Sequence, residues 1–320
     1  MSTTTVRETR PALRPAEPGS GRARLLARVE RVLACPQCHR GLSSQPGEVA
    51  LKCPACGTLG QTRDERFEFA EVAADAVASD WLNRIKEVFN RRLSRFYPLA
   101  IKVLSPVLVR RLVPRFLATF DLDRQLVADL GCGTSRYGDR VVCVDGCGYD
   151  NVHVVSLLEQ LPLANGSLDG VFSIAVLEHV TDPAAHVAEI YRVLKPGGRV
   201  LCYVPFMAAF HASPYDYQRW TIRGLAQLFA DFETIDIGVG AGPTSGLLWV
   251  FQEWLALTLS FGSQRLYRVL VPLTWILSPL KLLDLLLAHH PQAHIIASAH
   301  YIEARKPGRA DTAPGSPASA

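Results

Sequence analysis

Nine residues, Val127-Ala128-Asp129-Leu130-Gly131-Cys132-Gly133-Thr134-Ser135, narrow what this chain can become more than any other stretch. A short apolar run carrying an acid is followed at once by a tight Gly-x-Gly turn. Backbone approaches a ligand across such a turn only where no Cβ intervenes, and glycine takes the left-handed conformation without strain. Asp129, Gly131, Cys132 and Gly133 are therefore candidate ligand-loop residues, although the turn by itself fits an ordinary loop equally well. The next apolar run, Arg140-Val141-Val142-Cys143-Val144-Asp145, closes on a carboxylate where a βαβ nucleotide site carries its ribose-binding acid. Asn151 to Val155 makes a third run, and Leu161-Pro162-Leu163-Ala164-Asn165-Gly166-Ser167-Leu168-Asp169 leads into a fourth at Gly170 to Val176.

Taken in order, Asp-Leu-Gly-Cys-Gly-Thr, Val-Asp, Leu-Pro-Leu with Gly-Ser-Leu-Asp, Val-Leu-Glu-His-Val and Arg-Val-Leu-Lys-Pro-Gly-Gly resemble the class I S-adenosylmethionine-dependent methyltransferases, specifically the methyltransferase type 11 group. The resemblance covers about residues 121–240. It implies an α/β fold: a Rossmann-like, doubly wound, mostly parallel seven-stranded sheet with an antiparallel last strand. It also implies S-adenosylmethionine as cofactor, with the backbone of Gly131–Gly133 around the methionine moiety and Asp145 accepting from the ribose hydroxyls. Residues from Ala175 onward are then expected to line the methionine side. The chain departs from the family in two places. The interval from Gly133 to Asp145 leaves little room for a crossover helix, so a brief helical turn is expected there. Where the family usually has an Asp reading the adenine amino group, this chain has Leu157, which leaves a backbone carbonyl or Glu159 for that hydrogen bond. Leu157 keeps a second reading open, a non-catalytic scaffold with the same fold.

Cys35-Pro36-Gln37-Cys38 and Cys53-Pro54-Ala55-Cys56 are two Cys-x-x-Cys knuckles with fourteen residues between them. This spacing lets four thiolates converge tetrahedrally on one structural Zn²⁺. No apolar core precedes Cys35, which points away from an ordinary secretory signal and toward a reducing cytoplasmic setting. There, a pair of disulfides or a redox Cys-x-x-Cys is the lesser alternative. The segment, with Gln61-Thr62-Arg63-Asp64 behind the second knuckle, resembles the small zinc ribbons that precede some bacterial methyltransferases. An rRNA base methyltransferase with such a module is a related reading. The formal net charge of +4 and the lack of a dense basic patch around the cysteines argue against it, so nucleic acid is not an expected partner. Cys132, Cys143, Cys147 and Cys202 have no metal spacing, and none is assigned catalysis.

The organisation expected is a disordered arm over 1–30, the ribbon over 31–70, a helical connector or cap over 71–120 and the methyltransferase core over 121–242. An apolar helical insert over 243–292, a closing core strand over 293–306 and a disordered tail over 307–320 complete the chain. Arg84, Arg91, Arg92, Arg95, Arg110 and Arg111 in the connector read as a solvated helix face or as contacts to an anionic lipid or polyanion. His179 follows the fourth strand. His211, Tyr215, Asp216 and Arg219 lie in a polar, aromatic loop after the fifth, where open α/β sheets carry ligands. The histidines are the candidate general bases. Tyr215, Asp216 and Arg219 would position an acceptor, with a structural salt bridge the competing role for Arg219.

The insert contains long apolar runs broken by Glu253, Arg265, Arg268, Pro272, Pro279, Lys281 and Asp284, and no uninterrupted stretch reaches the roughly twenty residues that span a bilayer. An in-plane membrane anchor, a homodimer face and an enlarged core all fit 243–288. Arg265, Arg268 and Lys281 among Trp249, Trp254, Tyr267 and Trp275 suit a headgroup interface. The activity expected is methyl transfer to a small-molecule acceptor or to a lipid- or glycan-linked one, in the cytoplasm or at the inner face of the membrane.

Overall fold

The computed structural model describes residues 21–43, 49–63, 65–70, 103–211 and 215–308. The arm before residue 21, the tail from residue 309, and the part of the connector that carries Arg84, Arg91, Arg92 and Arg95 lie outside the described residues. The described chain opens with helix α1 (Gly21–Glu30) and an antiparallel piece made of β1 (Ala50–Cys53), β2 (Gly57–Arg63) and β3 (Arg66–Glu68). A short helix, α2 (Leu112–Leu117), precedes β4 (Val127–Leu130), β5 (Val141–Asp145), β6 (Val154–Val155) and β7 (Leu168–Ile174). Helix α3 (Pro183–Val193) joins β7 to β8 (Leu194–Pro205), and α4 (Ile222–Leu228) joins β8 to β9 (Glu233–Ala241). After an insert containing α5 (Pro243–Leu259), α6 (Gln264–Thr274), a 3-10 stretch at Trp275–Leu283 and α7 (Asp284–Leu287), the chain returns as β10 (Ala299–Arg305).

The strands form one sheet in the order β1-β2-β3-β6-β5-β4-β7-β8-β10-β9. The pairs from β6 to β8 are parallel, and β10 lies antiparallel between β8 and β9. The antiparallel closing strand is therefore as expected, but the sheet has ten strands and not seven. The added three belong to the cysteine-bearing segment, which is continuous with the core. Phe67 and Glu68 pair in parallel with Val154 and Val155, the amide of Phe67 donates to His153 O at 2.9 Å, and that of Phe69 to Val155 O at 2.8 Å. A two-residue strand such as β6 would otherwise leave its edge unpaired, and the ribbon covers it.

Sequence chemistry accounts for the central elements. All four residues of β4 and the first four of β5 are buried, the signature of parallel strands covered on both faces. Asp182 caps α3 by accepting from the Ala185 amide at 2.9 Å with Pro183 in the first turn, and Thr221 caps α4 by accepting from Gly224.

Two expectations fail together, for one physical reason. The link from β4 to β5 contains no helix, only turns. The sheet face left bare is covered by α1, which packs on β5 and buries Leu25 and Val29 in one cluster with Leu130, Val142 and Val144. Leu25 and Val29 stand four residues apart on one face of that helix. Arg28 fixes the helix by donating to Leu122 O at 2.9 Å and Gln125 O at 2.7 Å. Residues 21–30 are thus part of the core and not of a disordered arm.

The insert leaves the sheet at its carboxyl edge. Because β9 runs parallel to β8, its last residue, Ala241, lies beside Pro205 across the first residue of β10, Ala299. Asp284 ties the insert down by accepting from the Thr244 and Ser245 amides at 2.8 Å each and from Ser245 Oγ at 2.6 Å. Two details correct the sequence reading. Residues Gln264–Leu287 form one helical stretch of 24 residues, long and apolar enough by length and composition to cross a membrane. Pro272 lies within α6 and Pro279 within the 3-10 stretch that continues it, while Lys281 and Asp284 turn inward. Lys281 is no headgroup contact: it donates to Val103 O at 3.1 Å and to Ser105 O, and burial pushes its pKa down.

Candidate functional site at the carboxyl edge

The glycine loop follows β4 at the point where the chain turns one way to β5 and later the other way to β7. Ligands of open α/β sheets sit at such a switch point. Gly131 and Gly133 have φ of 77° and 52°. A Cβ on Gly131 would stand 2.4 Å from Val176 Cγ2, so the loop passes against the segment that follows β7 too closely for any side chain. The amides of Gly131 and Cys132 donate to Val144 O at 2.8 and 3.3 Å, and that of Gly133 donates to Asp145 Oδ2 at 2.8 Å. Asp145 Oδ1 accepts from the Cys147 amide at 2.8 Å. Each carboxylate oxygen keeps a second acceptor site for a hydroxyl. Burial raises the pKa of Asp145 in spite of these donors. Asn151, which the sequence reading passed over, holds the loop's outer limb by donating to Gly133 O at 3.0 Å and Ser135 O at 2.7 Å.

Asp129 is 3 % exposed, and burial, followed by its acidic neighbours Cys143 and Asp145, pushes its pKa up to about 8. Cys132 and Cys143 are buried together, as core cysteines are. Leu157 lies just past β6 and is 52 % exposed at the rim of the same edge. Ala175, the residue after β7, holds a φ of 55°, and its amide donates to Tyr203 O at 2.9 Å.

The candidate catalytic residues converge in part. His179 and His211 meet edge to face, their ring centroids 5.3 Å apart, and the ring of Trp249 from α5 lies 5.2 Å from His211. Between the histidines sits Glu178, fully buried, with both carboxylate oxygens lacking a hydrogen-bond partner. Its Oε1 is 3.7 Å from Nε2 of each histidine. The sequence reading passed over Glu178, for which the acid inside the apolar Val-Leu-Glu-His-Val run was the available signal. Burial lowers the pKa of His211, but the Glu178 carboxylate, the Ala209 carbonyl and Asp216 outweigh this and raise it on balance. Asp216 and Arg219 are engaged with each other instead. Arg219 Nη2 donates to Asp216 Oδ2 at 2.6 Å and Nη1 to Oδ1, with Ala209 O and Gln218 O as further acceptors. Arg219 is thus a strut that holds the loop. Burial raises the Asp216 pKa, but Arg219 and the amide of His211 more than offset this and lower it. Tyr215 contributes its carbonyl, 2.5 Å from His179 Nδ1, while its ring is exposed and tilted against Tyr217.

The four ribbon cysteines lie apart from this edge. Their sulfurs are all within 4.8 Å of one another, and the Gln37 and Cys38 amides reach Cys35 Sγ at 3.4 Å each. Four thiols gathered around one point, with amides aimed at sulfur, fit a tetrahedral thiolate site for Zn²⁺.

Residues 128–202 match the family model described as "Methyltransferase domain". A malonyl-[acyl-carrier protein] O-methyltransferase of Hahella chejuensis is 34 % identical over 99 residues, which is 24 % of this chain and 36 % of that one. A probable S-adenosylmethionine-dependent methyltransferase of Mycolicibacterium smegmatis is 31 % identical over 144 residues, 36 % of this chain and 56 % of that one. Among solved structures, phosphoethanolamine N-methyltransferase 2 of Haemonchus contortus, in complex with S-adenosyl-L-methionine, aligns over 69 % of this chain and 60 % of its own at 19 % identity with a TM-score of 0.39. The chain spans about a third to a half of these two curated relatives. Residues 128–202 are thus similar to methyltransferase domains, and one of these relatives is described as S-adenosylmethionine-dependent.

Proposed function

We propose that the whole chain is an S-adenosylmethionine-dependent methyltransferase, with the glycine loop and Asp145 as its cofactor site and the Glu178–His179–His211 edge as its acceptor site. The observation that carries this reading is the doubly anchored Asp145, which braces the glycine loop and offers its remaining acceptor sites at the carboxyl edge. Bound there, S-adenosylmethionine supplies a methyl group on a sulfonium, so the protein's work is alignment and, for an O–H or N–H nucleophile, removal of a proton. His211 donates Nδ1–H to Ala209 O at 3.2 Å, which leaves the Nε2 lone pair to take that proton beside the Glu178 carboxylate. Asp216 and Arg219 hold the loop in which His211 lies. Calorimetric titration with S-adenosylmethionine, followed by a metabolite screen for release of S-adenosylhomocysteine, tests the reading. A folded chain that binds none of the cofactor would return it to a scaffold role.

The acceptor we favour is lipid-linked, presented at a bilayer surface. Only 28 % of the apolar window in Gln264–Leu287 is buried, and Leu257, Phe261, Leu273, Ile276, Leu285 and Leu286 are exposed on the insert. Apolar patches of this kind mark an interaction surface. The insert rises from the acceptor edge and reaches His211 through Trp249. The ribbon is proposed to carry one structural Zn²⁺ and no chemistry, since four thiolates leave no open coordination position.

A further inference from the structure

Glu178 poses a charge problem. A carboxylate accepts hydrogen bonds only, and this one is fully buried with neither oxygen receiving any. The two groups that face it are imidazoles whose protons are already placed. His179 Nδ1 lies 2.5 Å from Tyr215 O and His211 Nδ1 3.2 Å from Ala209 O, and a backbone carbonyl accepts only, so both Nδ1 atoms carry the hydrogen. In the neutral tautomer both Nε2 atoms then present a lone pair, each 3.7 Å from the same Glu178 oxygen. In that state three electron-pair donors converge with nothing positive between them, and a proton on His211, which Glu178 favours, competes with a cation for the same place.

From this arrangement we infer that Glu178, His179 and His211 form a second metal site, for a divalent transition-metal ion. The donor set is two imidazole nitrogens and one carboxylate, which suits Zn²⁺, Co²⁺ and their neighbours and not the all-oxygen shells of Mg²⁺ or Ca²⁺. The three ligand atoms lie within 4.8 Å of one another. Ligands about 2.1 Å from an ion at neighbouring positions stand roughly 3 Å apart, so on binding each histidine draws in from its 3.7 Å separation from Glu178. Each histidine has the outer support that metal-bound imidazoles usually have, an Nδ1–H given to a carbonyl. Asp216 adds a negative charge at 3.5 Å from His211 Nδ1, and Arg219 neutralises that acid without reaching Glu178. Three protein ligands leave open positions, unlike the closed ribbon. The inference shares the acceptor edge with the methyl-transfer reading, but with metal bound the His211 Nε2 lone pair is a ligand, so its role as base belongs to the metal-free chain. Metal uptake is read without cofactor or acceptor, so either can fail alone.

The full chain, given one equivalent of Zn²⁺ so that the four-thiolate site is filled first, is titrated with CoCl₂ by absorption and calorimetry. One further equivalent of Co²⁺ is expected, with visible d–d bands and no near-ultraviolet thiolate charge-transfer band. His211→Ala and Glu178→Gln should each weaken uptake at least tenfold. Glu178→Gln should also raise the melting temperature of the chain before Co²⁺ is added, because it removes an uncompensated buried charge. That gain distinguishes loss of a ligand from loss of the fold. Uptake confined to the thiolates, or unchanged uptake in a folded His211→Ala chain, overturns the site.

Discussion

Asp145 Oδ2 accepts the backbone N–H of Gly133 at 2.8 Å, so the acid at the end of β5 holds the loop at the end of β4 in place. One side chain thereby has two duties, bracing the loop and offering acceptor sites to two ribose hydroxyls. Asp145→Ala removes both and should weaken S-adenosylmethionine binding by about 1–3 kcal/mol, roughly five- to hundredfold in Kd. Asp145→Asn keeps one acceptor oxygen and should fall between. Equal affinity in all three proteins by calorimetry would place the ribose elsewhere.

Gly131→Ala tests how tightly the loop is packed. The new methyl meets Val176 Cγ2 at 2.4 Å and the backbone must hold φ at 77°, where an L-residue alone costs about 1–2 kcal/mol. A lower melting temperature and loss of cofactor binding are expected. Adding Val176→Ala makes room for the methyl and should recover part of the stability. A single variant as stable as the parent would show that the loop relaxes freely.

Asp129 gives a dependence on pH with a definite sign. Burial raises its pKa to about 8 from an ordinary carboxylate value near 3.9, so the fold favours the neutral acid. Its contribution to stability is full below the unfolded value and is lost as pH rises through about 8. Asp129→Asn stays neutral throughout. Between pH 4 and 8 the variant should therefore gain stability relative to the parent, and the difference should level off above that window. Denaturant midpoints of both proteins across the range check this, and parallel curves would rule it out.

The β-strand core was legible because its strands are nearly unbroken apolar runs and its turns carry Gly, Pro and capping residues where the backbone needs them. The replacement of a crossover helix by α1 was not legible. Leu25, Leu26 and Val29 are the only large apolar residues in a short segment rich in Arg and Ala, and the partners Val142 and Val144 lie more than a hundred residues away. The merging of ribbon and sheet was hidden for the same reason, since a two-residue strand leaves no period to read. At the site, His179 and His211 were found by residue type. Glu178 became visible only when the fold showed that its carboxylate faces two imidazoles and no donor. The Arg219–Asp216 pair, three residues apart, could be posed from sequence as salt bridge or acceptor clamp, and its geometry supports the former.

The ribbon is expected to hold one Zn²⁺ through Cys35, Cys38, Cys53 and Cys56. Cys53→Ser/Cys56→Ser should lose that ion in elemental analysis and melt at a lower temperature. Folding of small metal-held segments is coupled to metal uptake, and the third strand of this one pairs with β6. Chelation of the parent should reproduce the effect reversibly. A parent chain that is folded, metal-free and indifferent to chelator would leave the four thiols as a reduced cluster only.

The insert makes the last prediction. Leucines exposed along Gln264–Leu287, with Arg265 and Arg268 exposed near its start, give a surface that an anionic bilayer would satisfy on both counts, burial of apolar area and neutralisation of charge. The chain should float with liposomes containing anionic lipid and float less with neutral ones. Leu273→Asp/Ile276→Asp, which places two charges on the exposed face, should abolish flotation without lowering the melting temperature, because both side chains are mostly solvent-exposed, at 63 % and 80 %. Sedimentation in the absence of lipid separates the competing occupant. A stable dimer that these same charges split would assign the face to a second copy of the chain, and a monomer that ignores every liposome would remove the membrane from the account.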